Sequence, residues 1–161
     1  MDKISPCLWF NDNAEEAVNY YVSVFPDSKV DKIARWPMDR TQPAPAKKGD
    51  VLAIEFTLGG REYKALNGGA NFPFTEAVSL AVACKDQAEV DRIWDRLIKD
   101  GGKPVECGWL KDKYGLPWQI VPQRLYELIS DNDTKKVARV MEAMMKMVKL
   151  DLAALEKAAK G

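Results

Sequence analysis

A strand–helix–strand order that occurs twice constrains the fold of this chain more than any other feature of its sequence. The first copy opens with ISPCLWF, in which Ile4, Pro6, Leu8 and Phe10 alternate with Cys7 and Trp9. Both faces of that strand are apolar, as in a sheet covered on both sides. Pro6 has no amide proton for a ladder, so the strand starts near it or lies at an edge there. NDNAEEAVNYYVSVF follows, with Asn13 as a helix cap, Glu15 and Glu16 in the first turn, and Ala17, Tyr20, Tyr21, Val24 and Phe25 at helical spacing. In the second copy TEAVSLAVAC is a strand, Asp86 a cap, and QAEVDRIWDRLIKD an amphipathic helix closed by Gly101–Gly102. A shift of 73 residues lays Asn13 on Asp86, Ala17 on Val90, Tyr21 on Trp94 and Val24 on Leu97. Identity between the copies is negligible, and the agreement lies in pattern and order, which points to internal duplication. Chance agreement between two amphipathic helices remains the alternative.

Strands complete each copy. After the first helix, SKVDKIARW is extended, and VLAIEFTLGGREYKALN is a hairpin turning on Gly59–Gly60. Between them MDRTQPAPAKKGD is Pro-rich, charged and aperiodic, and is expected to be an exposed, mobile loop. After the second helix, KPVECGWL and GLPWQIVP are strands joined through KDKY. In the return strand, alternation puts Gln119 and Val121 on one face and Trp118 and Ile120 on the other. On the outgoing strand, alternation pairs Cys107 with Trp109, without fixing which face they take. The rest is helical: QRLYELIS, then a helix capped at Asp133 or Thr134 whose Val137, Val140, Met141, Met144, Met145 and Val148 form one stripe, then LAALEKAA capped by Asp151. The stripe packs on the domain body or a second subunit, or offers an adaptable binding surface.

Composition removes several function classes. Lys plus Arg equals Asp plus Glu at 24 each, so no net field draws the chain to nucleic acid or an anionic membrane. No apolar run approaches the roughly 18 residues a membrane span needs, and MDKISPCLWFNDN does not read as a signal peptide. Cys7, Cys84 and Cys107 are odd in number and widely spaced, which suggests reduced thiols in a cytoplasm. The chain has no histidine. That removes histidine metal ligands, a histidine general base and every Ser–His or Cys–His nucleophile within one chain.

The blocks ISPCLWFNDNAEEAVNYYVSVFPDS, ALNGG, CGWLKDKYGLPWQIVP and KKVARVMEAMMKMVKLDLAALEKA resemble the PhnB-like branch of the vicinal oxygen chelate superfamily. That superfamily includes glyoxalase I, extradiol dioxygenases and the bleomycin and fosfomycin resistance proteins; the branch is often labelled 3-demethylubiquinone-9 3-methyltransferase-like. The loop around residues 37 to 48 is the least typical part. The resemblance implies an α+β fold of paired βαβββ modules around a cleft, commonly as a homodimer. It implies one domain over 1–161, with module one about 1–70, module two about 71–123 and a helical tail about 124–161.

Active members of the superfamily hold a divalent metal on His, Gln or Glu. Here the matching positions fall at or beside Pro6, near Lys64, at Ser79 and at Gln119. One hydroxyl and one amide do not make a zinc or hard-metal site, so no metal and no cofactor are expected. The methyltransferase label also finds no Gly-rich turn after the first strand, because NDNAEE follows it. The expected function is binding of an unidentified small molecule in an apolar cleft; the alternative is a metal-dependent lyase, isomerase or dioxygenase. Candidate cleft residues are Leu8, Phe10, Asn67, Ser79, Cys107, Trp109 and Gln119. Three of these have a plainer reading: packing for Trp109, a turn for Asn67, a small buried hydrophobe for Cys107. Asp112 reads as a turn stabiliser, with a catalytic carboxylate as the alternative.

Overall fold

The computed structural model describes residues 3–42, 44–70 and 72–161, and divides into two compact units, Met1–Pro73 and Phe74–Gly161. Pro43, inside the Pro-rich loop, lies outside the described residues.

Unit 1 runs β1 (Cys7–Phe10), α1 (Ala14–Val24), β2 (Lys29–Arg35), β3 (Val51–Leu58) and β4 (Arg61–Asn67). Its sheet has the order β1-β4-β3-β2, with β1 parallel to β4 and the other neighbours antiparallel. β1 begins just after Pro6, whose carbonyl accepts from Lys64 N at 2.9 Å. The β3–β4 turn uses Gly59 and Gly60 at φ of 55° and 78°, the left-handed pair a two-residue hairpin turn requires. Register sets Leu8 beside Ala65 and Ala65 beside Ile54, and all three are buried, with Ala17, Val18 and Tyr21 of α1 also buried. Unit 1's core is thus one sheet face plus the apolar stripe of α1.

Unit 2 repeats the order: β5 (Leu80–Cys84), α2 (Gln87–Ile98), β6 (Lys103–Pro104), β7 (Trp109–Lys111) and β8 (Pro117–Pro122). Its sheet, β5-β8-β7-β6, has the strand pattern of the first. The duplicated helix positions agree in burial: Ala17 and Val90, Tyr21 and Trp94, Val24 and Leu97 are all core residues. Two mixed four-stranded sheets with their helices make this the α+β, paired βαβββ architecture.

Three local expectations change. Residues 76–78 form a turn and a bend and β5 begins only at Leu80, so β5 is shorter than TEAVSLAVAC. Cys107 lies outside any strand, at φ 58°, because 105–109 makes a turn in which Trp109 N donates to Glu106 O. Strand alternation therefore does not govern Cys107. The described residues of the 38–50 loop are mostly exposed, as expected, yet carry an internal framework. Arg40 and Ala46 exchange two backbone hydrogen bonds, and the Asp39 carboxylate accepts from Lys48 N and Lys47 Nζ.

Three helices extend unit 2: α3 (Gln123–Ile129), α4 (Thr134–Met144) and α5 (Leu152–Lys160). The Asp133 and Asp151 carboxylates cap α4 and α5 by accepting from backbone amides of their first turns. Val121, Leu125, Leu128, Val140, Leu150 and Leu155 form the cluster they enclose, with Met144 and Met147 packed on it. α4 ends at Met144, so the continuous stripe is interrupted: Met145 and Val148 are exposed while Met147 turns inward. On α2, Gln87 donates to Leu150 O and accepts from Leu152 N, and Lys149 reaches Asp91 and Asp95.

Candidate functional site

Each sheet has one face under its helix and one face turned away, and the polar candidates of unit 2 sit on the latter. In β7 and β8 alternation is clear. Leu110, Trp118 and Ile120 are fully buried on the helix side, and Trp109, Lys111 and Gln119 project oppositely. Trp109 and Gln119 are direct cross-strand partners, and Ala81 lies beside Gln119. Gln119 Nε2 donates to Ser79 Oγ at 2.8 Å, so the fold brings Ser79, Trp109 and Gln119 together. One residue pair sequence reasoning did not reach stands at the end of this row: Lys111 Nζ is 2.6 Å from Glu76 Oε1. That hydrogen bond holds the Glu76 carboxyl below its ordinary range. At the other end Val121, on the same strand face, is buried in the cluster enclosed by α3, α4 and α5.

Asp112 is a structural hub. It is 3% exposed, and Oδ1 accepts from Tyr114 N at 2.8 Å and Leu116 N at 3.1 Å, while Oδ2 accepts from Trp118 Nε1 at 2.8 Å. Four lone-pair directions of a buried carboxylate are thereby largely used in shaping the β7–β8 turn. Cys107 is held by backbone: its N–H donates to Met147 O at 2.8 Å, and Gly108 N donates to Val148 O at 2.8 Å. Of the two lysines that follow this thiol in sequence, Lys111 is engaged by Glu76 and the Lys113 ammonium lies 4.9 Å from the centre of the Tyr114 ring.

Unit 1 corrects the reading of its first strand. Leu8 and Phe10, expected to line a cleft, are 6% and 4% exposed and belong to the core beneath α1. Both faces of β1 are apolar, so parity was undetermined; the register with Ala65 and Ile54 decides it. The opposite face carries Cys7 and Trp9. Trp9 Nε1 donates to Ala70 O at 2.8 Å, and Phe72 meets its ring edge-on at 5.1 Å. Gly68 lies directly against this indole: a Cβ there would fall 1.8 Å from Trp9 Cζ2. Cys7 pairs in register with Lys64, but partial desolvation at the sheet surface raises its thiol above the ordinary value, with Lys64 opposing, so it is not an activated thiolate. Asn67 is a strut: Oδ1 caps α1 through Ala14 N at 2.9 Å, and Nδ2 donates to Val51 O at 3.2 Å.

Beside Asn67 lies a cavity of about 580 Å³, lined by Asn13, Glu15, Arg35, Trp36 and Asp50 among others. In its lining Arg35 pairs with Glu15 at 2.7 Å, and the Arg40 guanidinium lies 4.2 Å from the centre of the Trp36 ring.

The residues at the superfamily's metal positions do not fit a metal. Pro6 has no side-chain donor, Lys64 is a cation, and Ser79 and Gln119 bind each other. Among the described residues no three Cys, Asp or Glu side chains gather where they could hold an ion.

The family model of 3-demethylubiquinone-9 3-methyltransferase matches residues 2–121, which leaves α3, α4 and α5 beyond it. Among solved structures, a PhnB protein from Bacillus cereus is 35% identical with a TM-score of 0.66, over 75% of this chain and 99% of that one. A protein from Pseudomonas aeruginosa, 20% identical over 73% of this chain and 95% of its own, has a TM-score of 0.58. The fosfomycin resistance protein FosX from Mesorhizobium loti, 15% identical over 86% of this chain and all of its own, has a TM-score of 0.51 and shares the fold. No curated protein matches the chain. With three-quarters of its length under the family model and a one-third identical relative spanned almost completely, this chain belongs to the PhnB-like, 3-demethylubiquinone-9 3-methyltransferase family.

Proposed function

We propose that this chain binds a small organic molecule on an open sheet face, without the superfamily's metal. The observation that carries the reading is the row Trp109–Gln119–Ser79 in unit 2. It combines a half-buried aromatic surface with an amide that can donate and accept, the mix that orients small ligands in mostly apolar sites. Trp9 and Phe72 supply a second aromatic surface on unit 1.

The family description names a methyltransferase, but this architecture argues against a nucleotide-fold methyl donor site. Neither sheet is a doubly wound parallel sheet, and β1 passes to α1 through Asn11, Asp12 and Asn13 with no glycine. Superfamily-type metal catalysis meets the donor set described above, in which the four positions offer only one amide and one hydroxyl, already hydrogen-bonded to each other.

The test is thermal shift of the purified chain against a metabolite and antibiotic panel, beside elemental analysis of the same preparation. Ligands that raise the melting temperature of the metal-free protein support the reading. Stoichiometric metal held through dialysis against a chelator, with lyase or oxygenase turnover, would replace it with the enzymatic alternative. The proposal includes a cytoplasmic homodimer. Its support is three unpaired cysteines and several exposed apolar side chains, Ile4, Phe72, Val78 and Met145 among them. No helix among the described residues is long and apolar enough to cross a membrane. Light scattering that returns a monomer mass removes the dimer from the proposal.

A further inference from the structure

The open face of unit 2 has unlike ends. Toward Val121 it is closed by apolar side chains, Leu125 and Leu150 among them. Toward Pro117 it ends at Lys111, whose cross-strand partner is Pro117 and whose ammonium meets Glu76. Trp109 and Gln119 lie between. The two members of the ion pair are held very differently. Lys111 sits on a strand, its side chain 30% exposed; Glu76 sits in a segment with no regular structure, its side chain 58% exposed. Displacing the pair therefore moves the carboxylate and leaves the cation in place. Trp109 Nε1 has no hydrogen-bond partner among the described residues, which adds a second N–H donor to this row.

Resting on the binding function argued above, we propose that Lys111 is the anion-recognising group of this face. Glu76 is its internal counter-ion, displaced by a ligand carboxylate, and the ligand class is a flat molecule bearing a carboxylate, stacked on Trp109. The apolar end accepts the ring and the cationic end the charge, so one orientation is favoured over its reverse. An ammonium suits this role as a point charge that a monodentate oxygen can share. The Glu76–Lys111 pair is open to solvent on its Glu76 side, where an added carboxylate can compete for the ammonium.

Isothermal titration of the full-length protein with indole-3-carboxylate and with its neutral analogue indole-3-carboxamide tests this at low and high salt. The carboxylate is expected to bind about fivefold more tightly at low salt, an advantage that shrinks as salt screens it. Lys111→Met keeps the apolar stem and removes the charge, and is expected to abolish that preference while the carboxamide still binds. Glu76→Gln is expected to tighten the carboxylate about threefold and leave the carboxamide unchanged. Trp109→Ala is expected to weaken both. Unchanged melting temperatures of the Lys111 and Glu76 variants confirm that the fold is intact. Equal affinity for the two probes, or a preference that survives Lys111→Met, overturns this inference and leaves the binding function standing. Failure of both probes to bind overturns the inference, and with a silent thermal-shift panel it overturns the binding function too.

Discussion

The β3–β4 and β7–β8 hairpins occupy the same place in the two units and are specified by different chemistry. The first turns on Gly59 and Gly60, both at positive φ, with open space where either Cβ would be. Backbone conformation is enough there. The second spans residues 112–116 and is organised by one buried carboxylate, which gathers two amides and an indole N–H. A duplicated topology thus tolerates either a local backbone device or a non-local side-chain hub at equivalent corners. The hub ties the turn to the core through Trp118, so its loss propagates further.

Substituting the hub gives the largest effect. Asp112→Ala leaves Tyr114 N, Leu116 N and Trp118 Nε1 without their acceptor in a buried site and is expected to cost about 3 kcal/mol or more. Asp112→Asn keeps one acceptor oxygen but turns an NH2 toward Trp118 Nε1, and falls between wild type and alanine. Gly60→Ala, which meets only the left-handed backbone penalty, costs about 1 kcal/mol. Urea denaturation of the three variants ranks them. A Gly60 variant as damaged as Asp112→Ala would break the contrast between the hairpins.

This contrast also shows what a sequence can carry. The Gly59–Gly60 hairpin, the Asp86 cap and the opposition of Gln119 and Trp118 across β8 follow from local spacing, and the structure has them where spacing puts them. Leu8 and Phe10 were misplaced because Cys7 and Trp9 are apolar too, so hydrophobicity could not say which face met α1. Cys107 escaped strand logic because its conformation depends on hydrogen bonding with the backbone 40 residues later, at Met147. The contact between Lys111 and Glu76 links a strand to an irregular segment 35 residues before it, a pairing with no period to reveal it. Trp9 had one signal available, the ALNGG glycines. A residue lacking a Cβ at Gly68 makes room for a large ring, but nothing in sequence order names which ring.

The turn at Cys107–Gly108 separates the units further, because unit 1 has no helical extension to shape its strands. Gly108 has φ 82°, and an added Cβ would come 2.8 Å from Leu150 Cδ1 and 3.1 Å from Ile120 O. Gly108→Ala therefore combines backbone strain with overpacking and is expected to cost about 2 kcal/mol. Leu150→Ala in the same chain relieves the side-chain overlap. A double-mutant cycle should show the double variant losing less than the sum of the two single losses. Strict additivity would mean that the loop before α5 does not press on this turn.

The helix caps give a smaller contrast. α2 is capped from within: the Asp86 carboxylate accepts from Glu89 N at 2.9 Å, three residues on. α1 is capped from β4, because Asn13 makes no side-chain cap and Asn67 supplies the acceptor. Asp86→Ala is expected to cost about 1 kcal/mol. Asn67→Ala is expected to cost slightly more, about 1.5 kcal/mol, since it also removes the donor to Val51 O. Amide exchange in the first turn of α1 should rise in the Asn67 variant and not in the Asp86 variant.

The thiols of the two first strands give the smallest effect at neutral pH and a distinct one in alkali. Burial, aided by the Glu89 carboxylate, pushes Cys84 from an ordinary 9.0 up to about 12. A thiol raised on folding binds its proton more tightly in the native state, so its contribution to stability is complete below the unfolded value. It is then lost as pH rises through 9 toward 12. The alkaline fall of the melting temperature over that window should be shallower in Cys84→Ala than in wild type. At pH 8, a thiol reagent should label Cys7, exposed on β1, in the native protein and reach Cys84 only on unfolding. Equal labelling of the two would mean that β5 opens in the native state, and the burial that sets Cys84 apart from Cys7 would not hold in solution.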